Sequence, residues 1–160
     1  MKTRMFSVLC QNVPGVMMRV SRTFTRRMIN LDSITVGIEP SGNARIILIF
    51  KSDDRMAEFL HRVLSRAEPI IYVEVIEHER SIAREIALLK TCKLDEKRMV
   101  KVVQQVERAG GKVLDDRNNV LILEVSGSHE DIENIVSALG PDILKEVARS
   151  GQVLISRQTT

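Results

Sequence analysis

One order of secondary-structure elements occurs twice in this sequence of 160 residues, and the repetition limits the possible folds more than any other feature. In each half, a strand-like apolar run is followed by a helical periodicity, two further strand-like runs, a second helical periodicity and a last strand-like run. We therefore expect an α+β protein with two ferredoxin-like (βαββαβ) units in tandem. Each unit would be an antiparallel sheet with both helices on one face.

Turn and capping residues between these runs set the predicted limits of the two units. In the first unit, residues 1–77, strands are predicted at 5–10, 31–38, 46–50 and 70–76, with one helix after Gly15 and another capped by Asp53 or Asp54. Residues 78–82 are interpreted as a charged linker. In the second unit, residues 83–160, strands are predicted at 86–91, 113–114, 120–125 and 143–147, with helices capped by Asp95 and Ser128.

The size of the units predicts association between chains. Units of about 75 residues are marginal alone and tend to bury apolar surface against a partner. Apolar residues are expected at alternate positions on the sheet face away from the helices, notably in 31–38 and 46–50. We therefore predict a homodimer, with ligand sites at or near the interface between units.

The first strand ends in Asn12-Val13-Pro14-Gly15, and a helix follows at once. A helix that begins at a glycine turn leaves backbone N–H groups unpaired, and these donors suit a small anion such as an amino-acid carboxylate. Gly15 lets a ligand lie against the main chain, and Asn12 adds an amide that donates and accepts. Alternatively, Pro-Gly only forms a tight turn. The second unit has Lys93-Leu94-Asp95-Glu96 here, whose acidic residues would repel a carboxylate, so one binding unit per chain is predicted.

Charge and aromatic content argue against nucleic-acid and membrane partners. The 24 basic and 21 acidic residues are spread along the chain, and the net charge is only +3. RNA-binding ferredoxin-like modules stack bases on aromatic side chains of their central strands, but 46–50 and 121–124 are aliphatic apart from Phe50. Apolar runs stay short of the ~18 residues that span a bilayer, and no signal-type segment follows the first residues. A cytoplasmic protein is expected.

An independent enzyme is a further alternative that the residues do not favour. Cys10 and Cys92 form no Cys-x-x-Cys pair, and the three histidines lack a second ligand at metal spacing. Paired carboxylates fall at cap or turn positions. We therefore predict no catalytic residue, no metal ligand and no cofactor on this chain.

Several blocks of the sequence resemble the small, regulatory subunit of acetolactate synthase (acetohydroxyacid synthase), and the first half resembles an ACT domain, an amino-acid-sensing module. The blocks are Ser7-Val8-Leu9, Asn12, Gly15, Arg19-Val20, Phe24, Arg27, Asn30-Leu31, 33–36, 84–90, 146–151 and 155–157. Together they extend over nearly the whole chain.

This resemblance implies a regulatory protein without activity of its own. Such a subunit binds and activates a catalytic large subunit, which holds thiamine diphosphate, Mg²⁺ and FAD, and it conveys feedback inhibition by a branched-chain amino acid, with valine favoured. The family's effector site corresponds here to Asn12, Gly15, Val16, Met17, Asn30 and Leu31. In a symmetric dimer the turn of one protomer can face Asn30 of the other. The alternative is a free-standing ACT-type amino-acid sensor that regulates a different metabolic enzyme.

Two features near this site depart from the family pattern. Met28 stands where the family usually has glycine at the end of the first helix, so another C-terminal cap or modest backbone strain is expected. The hairpin turn at 40–43 is also shorter than the family pattern implies. Both features are expected to affect feedback sensitivity through the position of Asn30.

Overall fold

The computed structural model describes residues 1–157 of the chain. The backbone divides into two compact units, the first comprising Met1–Ile82 and the chain from Val153 onward, the second comprising Ala83–Gln152. Each unit contains the β-α-β-β-α-β order that the repeat predicts. The prediction of two tandem ferredoxin-like units is confirmed.

Within the described residues, the first unit forms an antiparallel sheet of four strands in the order β2-β3-β1-β4, so β2 and β4 are its edges. Its elements are β1 (Lys2–Cys10), α1 (Val16–Thr25), β2 (Leu31–Ile38), β3 (Ala44–Ser52), α2 (Asp54–Ser65) and β4 (Ile70–Ile76).

The core of this unit lies between one face of the sheet and the two helices. Strand residues at alternate positions and helix residues three or four apart supply it; they include Phe6, Val8, Ile46, Leu48, Phe50, Val16, Val20, Phe24, Leu60 and Leu64. Phe50 packs edge-to-face against both Phe6 and Phe24, with 5.0 Å between ring centroids in each pair. Each such buried side chain stabilises the fold by about 1.5–3 kcal/mol, and α1 is thereby fixed across the sheet.

The second unit has the strand order β6-β7-β5-β8, with β9 paired to β5. Its elements are β5 (Ser81–Thr91), α3 (Glu96–Arg108), β6 (Lys112–Asp115), β7 (Ile122–Gly127), α4 (His129–Leu139) and β8 (Leu144–Arg149). A short strand, β9 (Val153–Ser156), follows β8 in the chain. Its core has the same construction, with Ala87, Leu89, Val102, Val106, Leu123 and Ile132 among the buried residues.

The structure corrects two strand predictions in the second half. β5 begins at Ser81 and not at residue 86. The apolar alternation did not extend to this start because the inward position of Glu85 is polar. The Glu85 carboxylate is 3% exposed and lies 3.0 Å from His129 Nδ1 and 3.7 Å from Arg149 Nη1. The strand β9 was not predicted. Its neighbour Arg157 donates its N–H to the Arg80 carbonyl at 2.7 Å. Contacts group the chain from Val153 with the first unit, whereas the sequence-based limits assign it to 83–160.

The side of the sheet on which β2 exposes its apolar residues also differs from the prediction. Ile34 and Val36 pair with Leu48 and Ile46, which face the helices. They therefore lie on the helix side, where they are 37% and 46% exposed because β2 is an edge strand. Apolar rows of the sheet thus continue to this edge and end there in solvent.

Candidate functional site

The turn between β1 and α1 begins where the chain leaves the sheet after Cys10. The Gln11 N–H donates to the Pro69 carbonyl at 3.0 Å, and the Val13 N–H donates to the Gln11 carbonyl at 3.0 Å. Gly15 then has φ +85°, a left-handed conformation that other residues adopt only with strain. A Cβ at this position would meet no atom of the described residues within 4 Å. The backbone therefore holds the turn, and the space beside Gly15 is open.

The start of α1 differs from that of the other α-helices in residues 1–157. Each of those three is capped by a side-chain oxygen that accepts a backbone N–H of its first turn. The capping residue is Asp53 for α2, Asp95 for α3 and Ser128 for α4. α1 has Gly15 here, with no side-chain cap and no acidic residue in its first turn. Within the described chain, the N–H groups of Met17 and Met18 have no acceptor. The positive end of this helix dipole therefore presents free donors.

The predicted residues of the turn divide by exposure. Asn12 is exposed, and its side-chain amide has no hydrogen-bond partner in residues 1–157. Met17 is half-buried and packs against the core. Val16 is 7% exposed, so its side chain belongs to the core and only its backbone belongs to the turn.

Asn30 and Leu31 lie at the start of β2. Asn30 is exposed, and its Nδ2 donates to Oδ1 of Asp32 at 3.4 Å. Leu31 is half-buried against the core. The exposed carboxylate of Asp32 was not among the predicted site residues. Its position two residues after Asn30 was the available signal, because a ligand with an ammonium group favours a nearby carboxylate.

The two groups of predicted residues lie at opposite ends of the sheet within one protomer. Cys10, beside the turn, pairs with Ala44, whereas Leu31 pairs with Phe50. Six positions of β3 separate Ala44 from Phe50, which corresponds to roughly 20 Å at about 3.3 Å per residue. The structure therefore does not bring Asn12 and Asn30 together in a single chain.

Met28 provides the cap at the end of α1 that glycine usually provides. Its φ is +57°, and its side chain is 94% exposed. The Met28 N–H donates to Thr25 and the Ile29 N–H donates to Phe24, at 3.0 and 3.2 Å, which is the Schellman pattern. Of the two expectations at this residue, strain is the one observed, at a cost of about 1–2 kcal/mol. The following connection, 39–43, is closed by a bond from the Glu39 N–H to the Asn43 carbonyl at 2.8 Å.

Outside the turn, the groups that could react or bind a metal ion include the Cys10 thiol and other His, Cys, Asp and Glu side chains. Burial raises the pKa of the Cys10 thiol, whose Sγ donates to the Ala44 carbonyl at 3.5 Å. Over residues 1–157, no cluster of three or more His, Cys, Asp or Glu side chains could hold a metal ion. Nor does that part of the chain contain a helix long and apolar enough to cross a membrane.

Comparison with known proteins assigns both units. Residues 84–158 match the family described as the small subunit of acetolactate synthase. Residues 6–72 match the ACT domain of proteins like the AHAS small subunit. AHAS abbreviates acetohydroxyacid synthase, the second name of that enzyme.

Relatives align over almost the full length. The chain is 33% identical over 156 residues to a probable acetolactate synthase small subunit of Methanothermobacter thermautotrophicus, with 97% of this chain and 93% of that protein covered. It is 31% identical to the acetolactate synthase small subunit of Mycolicibacterium smegmatis, with 97% and 91% covered. The crystal structure of the acetolactate synthase small subunit from Thermotoga maritima matches with a TM-score of 0.89 and 31% identity over 100% of both chains. The chain therefore belongs to the acetolactate synthase small subunit family.

Proposed function

We propose that this protein is a regulatory subunit, without catalytic activity of its own, that binds and activates the large subunit of acetolactate synthase. In this proposal the large subunit holds thiamine diphosphate, Mg²⁺ and FAD, and the small subunit conveys feedback inhibition by a branched-chain amino acid, with valine as the first candidate. Family membership over the whole chain supports the partner. The uncapped start of α1, which the second unit lacks, supports an effector site in the first unit.

A zwitterionic amino acid needs donors for its carboxylate, acceptors for its ammonium group and an apolar wall for its side chain. The N–H groups of Gly15 and Met17, neither of which donates to another group of the described residues, would bind the carboxylate, with the helix dipole adding to the attraction. Asn30 and the neighbouring Asp32 would accept from the ammonium group, and Leu31 and part of Met17 would contact the side chain. Each buried polar group that a wrong ligand leaves unmatched would cost roughly 1–3 kcal/mol, which disfavours hydrophilic competitors.

A complete site would then require two copies of the chain. We propose that the edge strands β2 of two protomers pair antiparallel, so that the apolar rows ending at Ile34 and Val36 are buried. Antiparallel pairing places the start of β2 in one protomer at the same end of the joint sheet as the turn of its partner. Two equivalent sites per homodimer would result, each composed of a turn from one chain and Asn30 from the other.

The experiment that tests the function is reconstitution with the large subunit of the same organism. The purified small subunit should convert no pyruvate alone, should co-purify with the large subunit, and should raise its rate of acetolactate formation. Added valine should then lower that rate. Turnover by the small subunit alone, or no association with the large subunit, would contradict the proposal.

The second candidate, a free-standing amino-acid sensor for another enzyme, makes a different prediction in the same experiment. Valine would bind to the isolated protein in calorimetric titration, but the large subunit would neither co-purify nor respond. The α1 turn is compatible with both candidates, whereas the match of residues 84–158 to the small-subunit family favours the first.

A further inference from the structure

A groove of about 250 Å³ runs between α1 and α2 and carries an unusual concentration of positive charge. We call it the arginine groove. Its lining includes Arg19, Arg22, Arg26, Arg27, Phe59 and Val63. The first three arginines follow the i, i+3, i+7 spacing of a single helix face. Thr23 of α1 and the two apolar side chains of α2 complete the lining.

The charge of the arginine groove is not compensated by the protein. No guanidinium group of these four arginines forms an ion pair with a carboxylate in residues 1–157. Arg19 donates to the Glu68 carbonyl at 3.1 Å, and the acidic residue next to Phe59 in the sequence, Glu58, lies 3.5 Å from Arg62 instead. Like charges at this spacing destabilise a helix. The negative end of the α1 dipole offsets the charges near its C-terminus, but Arg19 is the fourth residue of the helix and lies toward its positive end.

The lining selects among the anions that could compensate this charge. Guanidinium groups bind carboxylates through two parallel hydrogen bonds, and several of them on one helix face suit a segment with several acidic side chains. Val63 and the edge of Phe59 add an apolar surface, which a polypeptide can cover with an apolar side chain. The groove volume is sufficient for a few side chains and not for a folded element.

A nucleic acid or nucleotide suits the arginine groove less well. Bases bind to proteins by stacking on aromatic rings, but the Arg27 guanidinium already lies over the Phe59 ring, with Cζ 4.6 Å from the centroid. The net charge of the chain is only +3, so the field beyond the groove is weak for a long polyanion.

We propose that the arginine groove is a docking surface for an acidic segment of the catalytic large subunit, an inference that rests on the proposed function. α1 would then join two sites, since it begins at the effector turn and carries Arg19 and Arg22, with Arg26 and Arg27 directly after its end. Binding of the large subunit would depend on salt concentration, because the partner charges meet at an exposed surface.

The test compares two variants, each with two basic residues replaced by glutamate, so that both change the net charge by the same amount. Arg22→Glu with Arg26→Glu changes the groove, whereas Lys97→Glu with Lys101→Glu changes an exposed pair with the same spacing on α3. Affinity for the large subunit is measured by biolayer interferometry at two salt concentrations, and folding of each variant by thermal unfolding. The groove variant should bind at least about tenfold more weakly and with less dependence on salt. The α3 variant should stay within about twofold of the unsubstituted protein.

The outcomes distinguish this inference from the proposed function. If the unsubstituted protein does not bind the large subunit, the proposed function itself fails. If it binds and the groove variant binds equally well, or both variants lose the same affinity, the docking surface is wrong. Should the reversal prevent folding, Arg22→Gln with Arg26→Gln supplies the same comparison with a smaller charge change. A single-stranded RNA probe is tested in the same way. If the unsubstituted protein binds this RNA and the groove variant does not, while both bind the large subunit equally well, the inference is also overturned.

Discussion

At Gly15 the chain turns into the left-handed region immediately before a helix whose first N–H groups are free, and the space beside its Cα is open. These properties allow side-chain size and charge to be varied separately at this residue. Aspartate and asparagine have nearly the same shape, and both tolerate the left-handed region better than other residues with a side chain do. A difference between the two substitutions therefore reports charge and not strain.

Gly15→Asp should weaken valine binding by roughly tenfold more than Gly15→Asn, because its carboxylate would repel that of the ligand at the helix start. Calorimetric titration of both variants, with a thermal unfolding curve for each, measures the difference. Asp95→Ala at the start of α3 serves as the control and should leave the affinity for valine unchanged. Equal losses in the two Gly15 variants would mean that no carboxylate binds beside this residue.

The residues of the candidate site show which features a sequence can predict. The left-handed Gly15 and the free start of α1 follow from the local order Asn-x-Pro-Gly and from the absence of a capping side chain, so they were predictable. Strain at Met28 was predictable as one of two alternatives, because the resembling family usually has glycine at that position. The core position of the Val16 side chain depends on how α1 is oriented against the sheet, which no local pattern specifies.

Helix starts in the second unit are stabilised by side chains and not left free for a ligand. In α4, Ser128 and Asp131 cap each other: the Asp131 N–H donates to the Ser128 hydroxyl at 3.2 Å, and the Ser128 N–H donates to the Asp131 carboxylate at 2.8 Å. The hydrogen bond from the Ser128 hydroxyl, followed by that from its backbone N–H, holds the pKa of Asp131 below its ordinary value.

This capping box should make part of the stability depend on pH. Because the folded-state pKa of Asp131 is lowered, its contribution is present above the unfolded value of about 3.9 and is lost as the pH falls through the folded value. Asp131→Asn should therefore unfold more easily than the unsubstituted protein at pH 7, and the difference should shrink below pH ~4. Urea unfolding at several pH values measures this difference. The control is Asp142→Asn, compared with the unsubstituted protein in the same way, because the Asp142 carboxylate is exposed and has no hydrogen bond among the described residues.

At the level of elements, apolar periodicity predicted what local sequence determines. All four α-helices and the four strands of the first unit were found where the periods indicated, with changes of a few residues at strand ends. The start of β5 was missed because the buried partners of Glu85 come from distant parts of the chain. β9 was missed because so short a run becomes a strand only by pairing. The alternation of apolar residues also does not show which face of the sheet they occupy, and Ile34 and Val36 were therefore assigned to the wrong side.

For the whole molecule, the edge strand β2 decides whether the proposed site can exist. Val36→Lys places a charge on this edge, where the apolar row ends, and should raise the dimer dissociation constant by roughly tenfold or more. Val75→Lys is a matched control, since Val75 is 50% exposed on the same face of the other edge strand, β4. Sedimentation equilibrium of both variants tests the interface. Dissociation caused only by Val75→Lys would move the interface to the opposite edge.

The separation of Cys10 and Leu31 to opposite ends of the sheet has a genetic consequence. If each site takes its turn from one chain and its Asn30 from the other, two different defective alleles should complement each other. In a mixed dimer of a Gly15→Asp chain with an Asn30→Ala chain, one site carries both lesions and the other carries none. Cells expressing both alleles, or refolded mixtures of the two proteins, should regain up to about half of the valine-binding sites per mixed dimer, whereas neither protein alone would bind. A site contained within one chain could not be restored by mixing.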